Sequence, residues 1–404
     1  MSGRYLTSCG GGLLGNSPIV LVVRAKFTIS LGLKFFFVVP HGKMVKFRDV
    51  RNLLVSSYDD GDISDDEFCL LYDYHWSRDS YPYWNYERFN LESFDNAECW
   101  SQFRFHKREI YRLSDVLGIP ETMKTYNRMS VDGIEALCVF LKRFAYPCRY
   151  ADMIPFFGRA VPDYSIISNA VMDHIFSNYS HLLSDFDTPH LAREKLEEYC
   201  SAITAKGSPL QNCFGFIDGT VRPMCRPGEN QRTVYNGHKK VHSLKFQSVA
   251  LPNGLIGNMY GPLEGRRHDS FLLRMSDLLP KLQRHAFDTN GNALCVYGDP
   301  AYPLRIHLQS PFKSPILTPE ESEFNTAMSK VRTAVEWLFG DITNWVVFVD
   351  FKRNLKLGLS PMGKVYLTCP LLANARTCCY GNLTSDYFMM EPPSLEEYFV
   401  RNIE

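Results

Sequence analysis

Two short stretches constrain this chain more than any other feature: "CFGFIDGT" (213–220) and "ALCVYGDPAYP" (293–303). In each, an apolar run ends on an aspartate beside a glycine. The runs are too short for helices and read as buried strands bounded by turn signals. A charge that closes a buried strand belongs at the open end of an α/β sheet, where site residues gather. For Asp218 and Gly219 a plain hairpin turn is the alternative, because Asp-Gly is a common two-residue connection.

A third carboxylate joins them. The segment "EFNTAMSKVRTAVEWLFGDI" (323–342) reads as an amphipathic helix that buries Ala327, Val331, Val335 and Leu338, with Glu336 next to that face. Asp218, Asp299 and Glu336 meet if the two strands are neighbours and the helix crosses them. Like charges in one place raise one another's pKa and need a cation. Divalent Mg²⁺ or Mn²⁺, which prefer oxygen ligands, meets that need and leaves coordination positions for phosphate oxygens and water. Two such ions about 4 Å apart activate water and stabilise the leaving oxygen of a phosphodiester.

The rest of the chain sets the frame for this trio. Its 404 residues allow two or three domains, and 45% hydrophobic with 22% charged residues is an ordinary globular composition. The formal net charge is zero, which excludes a wholly basic nucleic-acid binder. Locally the balance differs: residues 213–313 carry thirteen Lys and Arg against seven acids, a net +6. The acidic segment "YDDGDISDDE" (58–67) reads as a solvated, mobile connector. Twelve cysteines include no Cys-x-x-Cys pair and lie mostly in apolar runs, as Cys138 and Cys295 do, so they read as reduced core residues of an intracellular protein. The apolar opening "SPIVLVVRAKFTISLGLKFFFVVP" (17–40) is divided by Arg24, Lys26 and Lys34 into pieces too short to span a bilayer, and no membrane role is expected. It also lacks the order of a signal peptide, and Met44 stands as a candidate start.

Ahead of the strands the pattern is helical. Val131, Ile134, Leu137, Cys138, Leu141 and Phe144 recur at helical spacing behind Ser130, and Pro147 stops the run. "RYADMIPFF" (149–157) reads as a second short helix ending at Gly158, and a third starts near 162–165 with Ile167, Val171, Ile175 and Asn178 along one side. Three such helices fit a helix-turn-helix unit, and equally a plain bundle packed on its neighbour. A linking helix over 192–205 follows, then a hairpin within "HSLKFQSVALPNGLIGNMYG" (242–261) and a helix in "GRRHDSFLLRMSDLLPKLQRH" (265–285).

Taken in order, "FIDGT", "GRRHDS", "GDPAYP" and "NTAMSKVRTAVEWLFG" resemble the acidic-triad nuclease of PIF/Harbinger-type transposases and their domesticated relatives, over roughly 214–375, and residues 128–169 resemble the region preceding it. The resemblance implies an α/β fold, an RNase H-like mixed sheet flanked by helices, behind a small all-α, helix-turn-helix-like domain. It implies an N-terminal extension over 1–110, a helical region over 111–205, a nuclease domain over 212–380 and a tail over 381–404. Asp218, Asp299 and Glu336 fall on the catalytic triad, and Asp269 in "GRRHDS" on a further metal-associated acid. For Asp269, capping of a helix N-terminus is an equal alternative.

His238, Lys239, Lys240, Lys245, Arg266, Arg267, Arg149 and Arg159 are candidate DNA contacts, with a solvated basic face as the alternative. Histidines 238, 242 and 268 lack i,i+4 spacing and are read as structural. The expected activity is divalent-metal-dependent endonucleolytic hydrolysis of DNA in the nucleus, with the cytoplasm as a second compartment. Relatives of this kind often act with a separate Myb-like DNA-binding partner, and the family leaves room for an oligomer. The rival expectation is a domesticated, non-catalytic DNA-binding adaptor that keeps the fold.

Overall fold

The computed structural model describes residues 21–23, 37–39, 47–76, 82–349, 355–356 and 361–400. The chain divides into two compact units, 1–81 and 82–404. In the first, strands Leu21–Val23 and Phe37–Val39 pair antiparallel, and helices Phe47–Asp59 and Asp65–Trp76 pack on each other. The acidic segment 58–67, read as a connector, lies at the corner of a helical hairpin. Ser64 and Glu67 cap the second helix reciprocally, and Asp65, Asp66 and Glu67 sit in its first turn, where the helix dipole favours negative charge. The segment is solvated as expected apart from Ile63, which is buried. Most of the apolar opening and Met44 lie outside the described residues.

The second unit is organised by a mixed sheet of five main strands: β1 (Cys213–Pro223), β2 (Val241–Ala250), β3 (Ile256–Glu264), β4 (Cys295–Tyr297) and β5 (Leu308–Gln309). Their order is β3-β2-β1-β4-β5. β1 to β3 are antiparallel, whereas β4 runs parallel to β1 and β5 parallel to β4. The short strand Tyr235–Asn236 adds to the start of β2. This is the mixed, helix-flanked sheet of an RNase H-like fold, with the longest strand at its centre. The β2–β3 hairpin turns at Gly254, whose φ of +79° only glycine adopts without strain.

Helices cover both faces of the sheet. In chain order they include α1 (Gly133–Ala145), α2 (Val161–Tyr179), α3 (Arg193–Ala205), α4 (Asp269–Met275), α5 (Leu278–His285), α6 (Pro319–Trp345) and α7 (Met362–Tyr380). The single helix expected over 265–285 is two, broken at Asp277, which takes a left-handed φ of +51°. The buried stripe of α6 is Met328, Val331, Ala334 and Leu338 rather than one including Ala327.

The N-cap of α1 is Asp132, which accepts from the Glu135 amide at 2.9 Å, and Ser130 lies instead in a short strand. α1 is buried nearly all round, and a Cβ at Gly133 would stand 2.2 Å from the Pro120 carbonyl oxygen. α2 buries Tyr164, Ile167, Val171, Met172 and Ile175, and packs against both α1 and α7, while Asn178 is exposed. One continuous hydrophobic cluster runs from Leu91 to Phe399, so residues 91–117 and 383–399 belong to the same core as the sheet. Asn374 of α7 closes the edge of β3, accepting from the Ile256 amide and donating to its carbonyl and to the Tyr398 hydroxyl. No helix among the described residues is long and apolar enough to cross a membrane.

Candidate active site

Asp218 sits in the middle of β1. The strand pairs with β2 without interruption from Phe216 to Pro223, so the turn reading of Asp218-Gly219 fails and the strand-end reading needs correction. What ends near Asp218 is the neighbour. β4 stops at Tyr297, opposite Phe216, and leaves one edge of β1 open beyond that level. Asp299 lies two residues past Tyr297, as Asp218 lies two past Phe216. Both aspartates thus follow at the same distance a register pair of two adjacent strands, which are about 4.8 Å apart.

The two glycines make room for the rest of the site. Residues opposite one another in an antiparallel pair share a face. Asp218 pairs with Ser248; Gly219 pairs with Gln247 and Val221 with Lys245, on the other face. Asp269, the first residue of α4, lies against that second face. Its Oδ1 accepts from the Lys245 ammonium at 2.9 Å, and a Cβ at Gly219 would approach it to 2.9 Å. Gly219 is therefore small because an aspartate lies against the backbone there.

Beyond β4, the Asp299 side chain accepts from the Ala301 amide at 3.0 Å and its carbonyl from the Tyr302 amide at 3.1 Å. This is a tight turn with proline at the position where a fixed φ suits it. It folds Tyr302 back so closely that a Cβ at Gly298 would meet the ring at 2.7 Å. The Tyr302 hydroxyl comes to rest 3.7 Å from the Cβ position of Gly219, buried, with no hydrogen-bond partner among the described residues.

Electrostatics tie the three aspartates together. Burial raises the Asp218 pKa above the usual carboxylate value, the Arg332 guanidinium draws it back, and the charges of Asp299 and Asp269 push it up again. The Tyr302 phenol is raised well above its usual value, first by burial and then by Asp269, Asp218 and Asp299 in turn. Two cations answer the trio: Lys245 on Asp269, and Arg332, whose Nη2 donates to Asp218 Oδ1 at 2.9 Å.

Glu336 is placed differently. It is exposed on α6, one turn beyond Arg332, and among the described residues nothing bonds to its carboxylate. The helix thus presents an arginine to Asp218 where the sequence pointed to a glutamate. Arg332 was missed although its four-residue spacing from Glu336 puts the two on one side of the helix.

The basic candidates also separate. His238, Lys239 and Lys240 are exposed at the tip of the hairpin between Tyr235–Asn236 and β2. His242 pairs with Tyr235, six positions along β2 from Ser248, or about 20 Å from the level of Asp218. Arg266 is exposed, and Arg267 pairs with Glu264 at 3.1 Å and lies over the Phe271 ring. Arg149 is exposed, whereas Arg159 is held by Glu135 inside the helical region. Lys245, only 9% exposed, belongs to the carboxylate cluster.

Among the described residues, no three His, Cys, Asp or Glu side chains already stand as a ligand set. The chemistry of the donors nonetheless fits a hard divalent cation: three carboxylates whose charges act on one another, with the Tyr302 hydroxyl beside Asp269, buried and without a partner among the described residues. Residues 217–374 match the family model of the DDE superfamily endonuclease. No curated protein and no solved structure matches the chain.

Proposed function

We propose that the chain is a divalent-metal-dependent DNA endonuclease of PIF/Harbinger transposase descent, with Asp218, Asp299 and Glu336 as its catalytic carboxylates and Asp269 as a fourth acid. The observation that carries the reading is that Asp218 and Asp299 each follow by two residues the paired Phe216 and Tyr297 of adjacent parallel strands, within the segment matched by the endonuclease family. Asp218 and Asp299 would hold Mg²⁺ or Mn²⁺, with Asp269 and Glu336 completing the set. Bound there, the metal would activate water and stabilise the leaving oxygen of a phosphodiester.

The chain's own groups divide the remaining work. Gly219 and Gly298 let Asp269 and Tyr302 close on the strands. Arg332 and Lys245 balance the acids, and with a cation bound they would be free to meet phosphate. Lys239, Lys240 and Arg266 lie exposed for the flanking backbone. α2 contains no Lys or Arg, which supports reliance on a separate Myb-like protein for target recognition in the nucleus.

A second reading has its own support. Two of the three aspartates already carry a cation and Glu336 stands apart, as a non-catalytic DNA-binding adaptor would tolerate. Nicking of duplex DNA, assayed with Mg²⁺ and Mn²⁺ and with a Myb-like partner present, separates the two. The endonuclease cuts, and Asp299→Asn lowers the rate at least about a hundredfold while DNA binding stays. Binding without cutting by the wild type, across both metals, establishes the adaptor.

A further inference from the structure

The most conspicuous orphan in the molecule is the Tyr302 hydroxyl. It is fully buried, has no partner among the described residues, and lies within the fields of Asp269, Asp218 and Asp299 together. Its position is enforced. The turn opened by Asp299 aims the ring, Gly298 admits it, and Lys313 holds the Tyr302 carbonyl at 3.3 Å. A buried hydroxyl without a partner destabilises the fold, and phenylalanine would fill the same space without that cost. The chain nevertheless places a hydroxyl beside the Gly219 backbone that Asp269 also approaches, where the charges of Asp218 and Asp299 act on it too.

We propose that Tyr302 is a positioning residue of the carboxylate site, whose hydroxyl gains its hydrogen-bond partner, a carboxylate oxygen or a ligand water, only when a divalent cation draws Asp218, Asp269 and Asp299 together. The inference rests on the metal-site reading given above. No proton leaves the phenol: the O–H acts as a fixed donor that orients an acceptor.

Tyr302→Phe tests this through two measurements that move in opposite directions. Without added metal, its melting temperature should match or exceed the wild type by about one to three degrees, since an unsatisfied group has been removed. With Mn²⁺, its affinity by titration calorimetry should fall about three- to tenfold, the worth of one hydrogen bond. Its metal-induced rise in melting temperature should shrink accordingly. In an Asp299→Asn background the same change should have little further effect on Mn²⁺ affinity, because the group to be positioned is gone.

Wild-type affinity retained in Tyr302→Phe overturns the inference and leaves the metal site standing. A metal-free melting temperature several degrees below wild type overturns it too, assigning the hydroxyl a structural role. Wild-type protein that binds no Mn²⁺ overturns both the inference and the site it depends on.

Discussion

Two arginine–carboxylate pairs in the second unit look alike on paper and differ in kind. In the helical region, Arg159 forks onto Glu135, with Nη2 to Oε2 at 2.7 Å and side chains only 11% and 7% exposed. The Tyr164 hydroxyl caps the Arg159 amide, and the Glu135 amide is taken by Asp132, so little there is left to exchange. At the sheet, Arg332 reaches Asp218 through one nitrogen, both side chains are about twice or more as exposed, at 22% and 25%, and Arg332 Nε has no partner among the described residues. The first pair is sealed and bidentate; the second is open, single-contact and surrounded by further acids. A sealed pair holds two elements together, whereas an open one can be displaced by a ligand that serves the carboxylate better.

Stability should separate the pairs most strongly. Arg159→Ala strands a buried carboxylate and should cost about 3–5 kcal/mol in chemical denaturation. Arg332→Ala leaves Asp218 with access to water, and should cost about 1 kcal/mol or less. Equal losses would erase the distinction.

A smaller effect concerns pH. Because the folded-state pKa of Asp218 is raised, its protonated form favours the fold; that contribution is complete below the unfolded value of 3.8 and is lost as pH rises through the folded value. Asp218→Asn keeps the neutral form at every pH. Its melting temperature should exceed the wild type's at pH 7, and the gap should close as the pH falls towards 4. A gap that widens on acidification would mean that the Arg332 pairing outweighs burial.

The least effect is expected from charges outside both pairs. Neutralising Lys239, Lys240, Arg266 and Arg267 together should leave melting unchanged and flatten the salt dependence of DNA binding by fewer than four phosphate contacts, since Arg267 already serves Glu264. An unchanged slope would mark them as a solvated face.

The contrast between the pairs also explains what could be read in advance. The apolar runs ahead of Asp218 and Asp299 were legible because burial gives way sharply to charge there, as was the hairpin at 251–255; the order of the strands in the sheet was not. The role of Gly219 was not, because the Asp-Gly pair is the same whether it makes a turn or admits Asp269 from another element. Arg159 and Lys245 read as surface cations because nothing in the residue type shows a partner 24 positions away. Arg332 escaped for a related reason. Helical periodicity fixes which side of α6 is buried, and leaves open which polar residue on the flank meets the strand. The resemblance stops short of the segment 381–404, expected as a tail, in which Leu395, Tyr398 and Phe399 are buried.

Anomalous diffraction from crystals equilibrated with Mn²⁺ tests most directly whether the open pair gives way. A manganese peak beside the carboxylates of Asp218 and Asp299 is expected, with Arg332 released from Asp218 and Arg159 still on Glu135. Arg332 unmoved, with no manganese at the aspartates under saturating metal, would contradict it.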